Sequence, residues 1–309
     1  MATISIQCQH IKKSYTLKKN KIIALDDINL EVYKSEIFGL IGPDGAGKTS
    51  LIRILASLIL PDSGSAKVEE CDVIHDFEKL RTKIGYMPGR FSLYQDLTVQ
   101  ENLEFFASVF NTTVQDNYHL INDIYKQIEV FKFRTAGALS GGMKQKLALC
   151  CALIHSPSIL FLDEPTTGVD AVSRIEFWEM LTELKRKGMT IFVSTPYMDE
   201  ASLCDRIALM QSGKILSVSS PSQVKQQYSG TLWSLQSIHM YHLMQALKKW
   251  SRVDSAFSFG ESIHVGISEQ NISEIEIKNY LLQNGISEIN IQRIEPTVED
   301  CFMQLMDKN

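Results

Sequence analysis

The sequence predicts a three-layer α/β domain built on a mostly parallel sheet, with a small α+β domain behind it. Three observations carry this. The apolar run Ile37-Phe38-Gly39-Leu40-Ile41 leads through Gly42-Pro43-Asp44-Gly45-Ala46-Gly47-Lys48-Thr49 into Ser50-Leu51-Ile52-Arg53-Ile54-Leu55. That is a strand, a glycine-rich loop and a helix in immediate succession. Ile159-Leu160-Phe161-Leu162 is four consecutive apolar residues, the mark of a strand buried on both faces and hence of a parallel sheet. Strand and helix patterns alternate up to about residue 217 and change rhythm after Ser219-Ser220-Pro221-Ser222.

Taken in order, residues 1 to about 35 read as antiparallel strands. Ile4, Ile6 and Cys8 alternate with polar residues, and so do Ile28, Leu30 and Val32, on either side of a solvated turn at Lys18-Lys19-Asn20-Lys21. Tyr15 ends the first strand pattern and suits either edge packing or stacking on a base. The helix after the glycine-rich loop stops at the turn cluster Pro61-Asp62-Ser63-Gly64. Residues 76–82 read as a helix, and Ile84-Gly85-Tyr86-Met87 as a short buried strand stopped by Pro88-Gly89. Thr98-Val99-Gln100-Glu101 has the capping-box pattern. Helical spacing at Ile121, Ile124, Ile128 and Phe131 runs on to about Phe133, so that residues about 90–140 form a helical subdomain.

A loop at Ala138 to Gln145 then feeds a helix that stops at Ser156-Pro157. Further on come a helix from about Val172 to Lys187 and a strand Thr190–Ser194 broken by Thr195-Pro196. A short helix, Met198 to Leu203, and a hairpin over Gln211-Ser212-Gly213 follow. Residues 1–220 are thus expected to form one domain and residues 221–309 another. The second reads strand (Thr231–Ser237), helix (Met240–Trp250), two strands (Val253–Phe257, Ile263–Ile267), helix (Ile272–Leu282), strand (Glu288–Ile294), the ferredoxin-like order. A last helix, Val298–Met306, closes it. His239, His242 and His264 share no converging spacing, so this domain reads as a small interaction or regulatory module.

Of the 309 residues 44% are hydrophobic and 22% charged, as in ordinary globular protein. The net charge of −5, from 31 basic and 36 acidic residues, argues against a nucleic-acid binder, which needs a basic face. No run approaches the roughly 18 apolar residues of a spanning helix, and Met1-Ala2-Thr3-Ile4-Ser5-Ile6 alternates like a strand rather than a signal peptide. The six cysteines show no metal-ligand spacing and read as reduced core residues, Cys150 and Cys151 among them. These features point to the cytoplasm.

The loop Gly42–Thr49 fits the pattern G-x-x-x-x-G-K-(S/T) in the required strand–loop–helix context. Its glycines let consecutive N–H groups turn toward phosphate oxygens, and the helix N-terminus adds partial positive charge. Lys48 would reach the β- and γ-phosphates of a nucleoside triphosphate, and Thr49 would ligate Mg²⁺. The segment Ser140-Gly141-Gly142 repeats the loop-to-helix geometry. Asp163 and Glu164 end the buried strand, where α/β sheets place ligand chemistry.

In order and spacing these motifs, which cover about residues 3–217, resemble the ATP-binding subunits of ABC transporters. Gly42–Thr49 matches the Walker A motif, Leu139-Ser140-Gly141-Gly142-Met143-Lys144-Gln145 the family signature, Ile159–Glu164 Walker B with its following glutamate, and Gly168-Val169-Asp170 the D-loop. Tyr15 falls at the place of the adenine-stacking aromatic. Thr195 to Ala201 and the closing Glu295-Pro296-Thr297-Val298-Glu299-Asp300-Cys301-Phe302 are similar to the drug-exporter type, which works with separate permease subunits. The resemblance implies a P-loop NTPase fold of the ABC cassette type, ATP and Mg²⁺ as ligands, and head-to-tail dimerisation with a second cassette, identical or different. It implies that Gly42, Pro43, Asp44, Gly45, Ala46, Gly47, Lys48, Thr49 and Ser50 hold ATP, and that Thr49 and Asp163 hold the metal. Glu164 would be the general base, and Ser140, Gly141, Gly142 and Gln145 would contact the ATP of the opposite chain beside the D-loop Asp170. It also implies a peripheral location on the cytoplasmic face of the plasma membrane, against integral-membrane permease subunits.

Two positions depart from the family pattern. Gly89 stands where the Q-loop glutamine belongs, and Pro196 where the switch histidine belongs. Three readings follow: an active but slow ATPase; a degenerate, mainly nucleotide-binding subunit that needs a competent partner; or replacement of the lost contacts by neighbours such as Arg90 or Tyr197. The permease contact is expected on the helical insert and Arg90-Phe91-Ser92-Leu93-Tyr94, where Phe91 and Tyr94 suit packing of the insert on the core equally well. A soluble ABC ATPase acting on ribosomes or DNA is disfavoured by the single cassette and the lack of a heptad run.

Overall fold

The computed structural model describes residues 3–18, 20–269 and 272–307; Met1, Ala2 and the Lys19 of the expected turn lie outside them. The chain divides into two units, Met1–Pro221 and Ser222–Asn309.

In the first unit, β1 (Ile4–Leu17) and β2 (Asn20–Tyr33) form the expected antiparallel pair. The glycine-rich loop Gly42–Gly47 then joins β3 (Ile37–Ile41) to α1 (Lys48–Leu55). The turn read at Ser63-Gly64 is instead the start of β4 (Ser63–Val68), which pairs with β1 and carries β5 (Cys71–Asp72) beside it. Only Ala66 and Val68 of β4 are buried, so it lacks the apolar alternation that marks a strand. Gly64, at φ +89°, lies at a register shift where a Cβ would strike the carbonyl of His10.

α2 (Phe77–Arg81) and β6 (Ile84–Met87) follow. The insert is not one helical run: α3 (Val99–Val109) and α4 (Tyr118–Tyr125) are separated by a turn, with Asn111 at φ 53°. Thr98 and Glu101 cap α3 reciprocally, as the capping-box pattern requires. α5 (Gly141–Leu153), β7 (Ile159–Asp163), α6 (Ala171–Arg186) and β8 (Thr190–Thr195) continue the alternation. The short helix read after Pro196 is a single 3-10 turn, Glu200–Leu203. β9 (Arg206–Gln211) and β10 (Lys214–Ser219) form the hairpin, with Ser212 and Gly213 both at positive φ, as a type I′ turn demands.

The six-stranded sheet has the order β10-β9-β3-β8-β7-β6, parallel except for β10. Phe38, Phe192 and Phe161 stand in register on β3, β8 and β7, with ring centroids 5.5 and 5.7 Å apart. They join α1's Leu51, Ile52, Ile54 and Leu55 in the core. The same register brings Gly42, Thr195, Glu164 and Pro88 to the carboxyl ends of four adjacent strands.

In the second unit, α7 (Pro221–Gln226) leads to β11 (Thr231–Ser237), α8 (Met240–Lys249), β12 (Ser255–Phe259), β13 (Ser262–Ile267), α9 (Glu274–Gln283), β14 (Ile289–Ile294) and α10 (Val298–Asp307). Its antiparallel sheet has the order β12-β13-β11-β14, the ferredoxin-like arrangement, over a core of its own that includes Trp233, Leu243, Leu247, Val265 and Leu281. Histidines expected to stand apart are partly grouped: His239 and His242 lie ring to ring at 6.0 Å, while His264 Nδ1 meets Asp300 Oδ1 at 2.7 Å. Asp300 also accepts from the backbone N–H and hydroxyl of Thr297, so the closing motif folds as the cap of α10.

All six cysteines are buried and unpaired. Burial pushes the Cys8 thiol up to about 12 and the Cys301 thiol to about 11, and raises those of Cys150, Cys151 and Cys204 as well.

Candidate functional site

The phosphate loop closes on itself through Ala46 N–H donating to the Pro43 carbonyl (3.2 Å). It can run so close to the core only because of its glycines. A Cβ at Gly42 would strike the carbonyl of Met210, and one at Gly47 that of Ala24; Gly47, the N-cap of α1, is at φ +109°. Pro43, Asp44 and Gly45 face solvent. Lys48 is 3% exposed, and its ammonium donates to the carbonyls of Gly42 (2.8 Å) and Pro43 (3.0 Å). Tyr15, on β1, brings its hydroxyl to 3.2 Å from Ser50 Oγ, at the rim of the same loop.

Asp163 and Glu164 meet this loop from β7. Thr49 Oγ1 donates to Asp163 Oδ1 at 3.1 Å, and Glu164 Oε1 lies 3.1 Å from Lys48 Nζ. Ser194, at the end of β8, ties the pair together. Its hydroxyl donates to Asp163 Oδ1 (2.8 Å), while the Glu164 amide donates to both the hydroxyl and the carbonyl of Ser194 (3.1 Å each). Glu164 has φ 51°, an uncommon conformation for a non-glycine residue that aims its side chain out of the strand direction. Sequence reasoning passed over Ser194. The available signal was a small polar residue ending a buried apolar strand, where only a hydrogen-bonded group is tolerated.

A threonine hydroxyl and a carboxylate side by side, both oxygen donors, suit a small hard cation, and the glycine-lined loop at a helix N-terminus suits phosphate. The donor set therefore fits Mg²⁺ with a nucleoside triphosphate.

The residues read as the signature lie apart from this cluster. Among the described residues no hydrogen bond or ion pair joins Ser140–Gln145 to Gly42–Ser50. Ser140 caps α5, accepting from Met143 N–H (3.3 Å). Gly141 passes the Gly168 carbonyl, and a Cβ on Gly142 would stand 2.5 Å from Ser173 Oγ. Asp170 caps α6 by accepting from the amide (3.0 Å) and hydroxyl (2.8 Å) of Ser173, bonds that hold its carboxyl below the usual range. Gln145 lines a small gap with Pro165, Thr166 and Val169.

Gly89 comes close to the acidic pair: a Cβ there would lie 2.9 Å from the Asp163 carbonyl oxygen. Pro196 follows Thr195, whose hydroxyl accepts from Tyr197 N–H (3.0 Å).

Residues 25–167 match the ABC transporter family model. The chain carries an ABC transporter ATP-binding domain. Over 287 residues, 92% of its length, it is 39% identical to the probable multidrug ABC transporter ATP-binding protein YbhF of Escherichia coli (strain K12). It covers 49% of that protein, so the chain spans about half the length of this relative. The daunorubicin resistance ATP-binding protein DrrA2 of Streptomyces coeruleorubidus is 29% identical over 97% of this chain and 94% of its own. Among solved structures, the dimeric post-hydrolysis state of the ATP-binding cassette MJ0796 bound to ADP and Pi aligns with TM-score 0.63 and 25% identity over 70% of this chain and 98% of that one. cbiO1 of Clostridium perfringens, part of the transporter complex cbiONQ, aligns with TM-score 0.64 at 24% identity over 73% and 92%. The ABC cassette has no helix among its described residues that is long and apolar enough to cross a membrane.

Proposed function

We propose that this chain is the ATP-hydrolysing subunit of an exporter, held on the cytoplasmic face of the plasma membrane by permease subunits. The observation that carries the reading is the convergence of Lys48, Thr49, Asp163 and Glu164 within 3.1 Å contacts at the carboxyl ends of adjacent strands. In this reading Gly42–Ser50 cradle the triphosphate, Lys48 binds its β- and γ-phosphates, and Tyr15 stacks on the base. Thr49 and Asp163 hold Mg²⁺, which when bound neutralises phosphate charge in the transition state. Glu164, aimed at Lys48 by its unusual backbone, orients the attacking water and accepts its proton. Ser140, Gly141, Gly142 and Gln145, with Asp170 beside them, complete the site of a second cassette in a head-to-tail dimer. Their separation from this chain's own phosphate loop supports that role. The names of the two relatives favour drug-like cargo.

The permease contact falls beside Arg90–Tyr94. A cavity of about 230 Å³ there is lined by Tyr86, Ser92, Leu93, Phe106, Phe110 and His155, a size and apolarity that suit part of a permease helix. Residues 222–309 serve as an interaction or regulatory module.

Purified chain should hydrolyse ATP in the presence of Mg²⁺, and Glu164→Gln should lower kcat by about 10²–10³-fold while leaving ATP binding intact. Wild-type turnover no faster than that of Glu164→Gln would overturn the ATPase reading. It would favour a second one, a nucleotide-binding regulatory subunit that needs a competent partner. That alternative draws on Gly89 and Pro196, neither of which offers a side-chain donor at positions where the family places one.

A further inference from the structure

Glu200 is 2% exposed, and three donors converge on it. Its Oε1 accepts from Thr166 Oγ1 (2.8 Å) and Arg174 Nε (3.1 Å), and its Oε2 from Thr195 Oγ1 (2.6 Å). Thr166 and Thr195 are themselves buried. Each hydroxyl has a single proton to give, and each gives it to this carboxylate. Thr166 stands two residues beyond Glu164, and Thr195 is adjacent to Ser194, whose hydroxyl and carbonyl hold the Glu164 amide. Glu200 thus ties the loop after Glu164 to the end of β8 that holds the Glu164 amide. Through Arg174, which also pairs with Asp199 (3.0 Å) and lies over the Tyr197 ring (4.4 Å), it grips the first turn of α6 as well. That turn contains Ser173, on which Gly142 is seated.

We propose that Glu200 is a positioning residue: it holds Glu164 in its off-strand conformation and keeps the loop after Glu164, the Thr195–Tyr197 segment and the start of α6 in one register. It rests on the ATPase reading only for its effect on turnover. The bracket matters because Pro196 leaves its own position without a donor. A carboxylate serves here because it only accepts, and all three partners donate. A glutamine keeps the shape but turns an NH₂ toward groups that now donate to the carboxylate, and it leaves the exposed Asp199 as the remaining counter-charge on Arg174.

The test is Glu200→Gln in the full chain, with Arg174→Lys as a milder second variant and Glu164→Gln as the inactive reference. Amide hydrogen exchange is read on peptides spanning residues 163–168, 171–175 and 194–198, beside kcat, KM for ATP and the affinity for a fluorescent ATP analogue. The expected result is faster exchange in all three segments together and a kcat lowered by about 10–100-fold, with KM and analogue affinity within about twofold of wild type. Arg174→Lys should give a smaller change of the same kind. Unchanged exchange in the three segments overturns the proposal. So does wild-type kcat in Glu200→Gln when the wild type is active, or a parallel loss of binding and turnover, which would mark a merely structural residue. If the wild type turns over no faster than Glu164→Gln, the ATPase reading fails, and the exchange data alone decide the positioning role.

Discussion

Asp163 and Glu164 are consecutive, yet their surroundings differ. The Asp163 carboxylate is buried and accepts from Thr49 and Ser194, whereas the Glu164 carboxylate is partly open and faces Lys48. The first arrangement locks its carboxylate in place, and the second leaves its carboxylate partly open. Ser194→Ala removes a buried donor from Asp163, and we expect a loss of about 1–3 kcal/mol in chemical denaturation, with lower turnover; an unchanged midpoint would show that the hydroxyl is dispensable. At position 89 the lack of a side chain has a steric reason, since a Cβ would press on the Asp163 carbonyl. Gly89→Gln is therefore expected to lower Tm rather than to restore a family contact, and a Tm equal to wild type with faster hydrolysis would contradict this. The phosphate loop and the acidic pair were legible in the sequence because each is a short continuous string. Ser194 and Glu200 were not, because their roles depend on partners brought together by the sheet: Ser194 on Asp163, 31 residues away, and Glu200 on Thr166, 34 residues away.

Secondary structure elements were readable where the periodicity was strong and local. α3 announced itself by Thr98 and Glu101, and Thr98→Ala should destabilise the protein by about 1 kcal/mol, a lower Tm being the measurement. β4 was hidden, because strand pairing through backbone groups requires no apolar pattern, and four of its six residues are exposed. His155 links the insert to the core: its Nε2–H donates to the Ile84 carbonyl (2.9 Å), and its ring stacks on Phe110 at 3.8 Å. Its Nδ1 is buried without a partner, and burial lowers its pKa below the usual 6.5. The folded protein therefore holds it neutral, while the unfolded chain takes up a proton below about pH 6.5. The contribution to stability is full above that pH and declines as pH falls toward the lowered folded-state value. His155→Gln should flatten the decline of Tm between about pH 6.5 and 5 relative to wild type; parallel pH profiles would refute the assignment.

At the scale of the molecule, the first unit has two sheets, the second has one, and each unit has its own core. The β-α-β-β-α-β order of the second was legible because its strands and helices are short, amphipathic and separated by turn residues. Expressed alone, residues 222–309 should fold and melt cooperatively by circular dichroism, and a non-cooperative, unfolded fragment would show that the unit depends on the rest of the chain.

The burial of every thiol has a practical consequence. A maleimide reacts with accessible thiolate, and this chain offers almost none at neutral pH. The native protein is therefore a silent background for labelling. A single cysteine introduced at the exposed Ser92 would be the one reactive position, and its protection from the reagent when a membrane partner is added would report docking at that cavity directly.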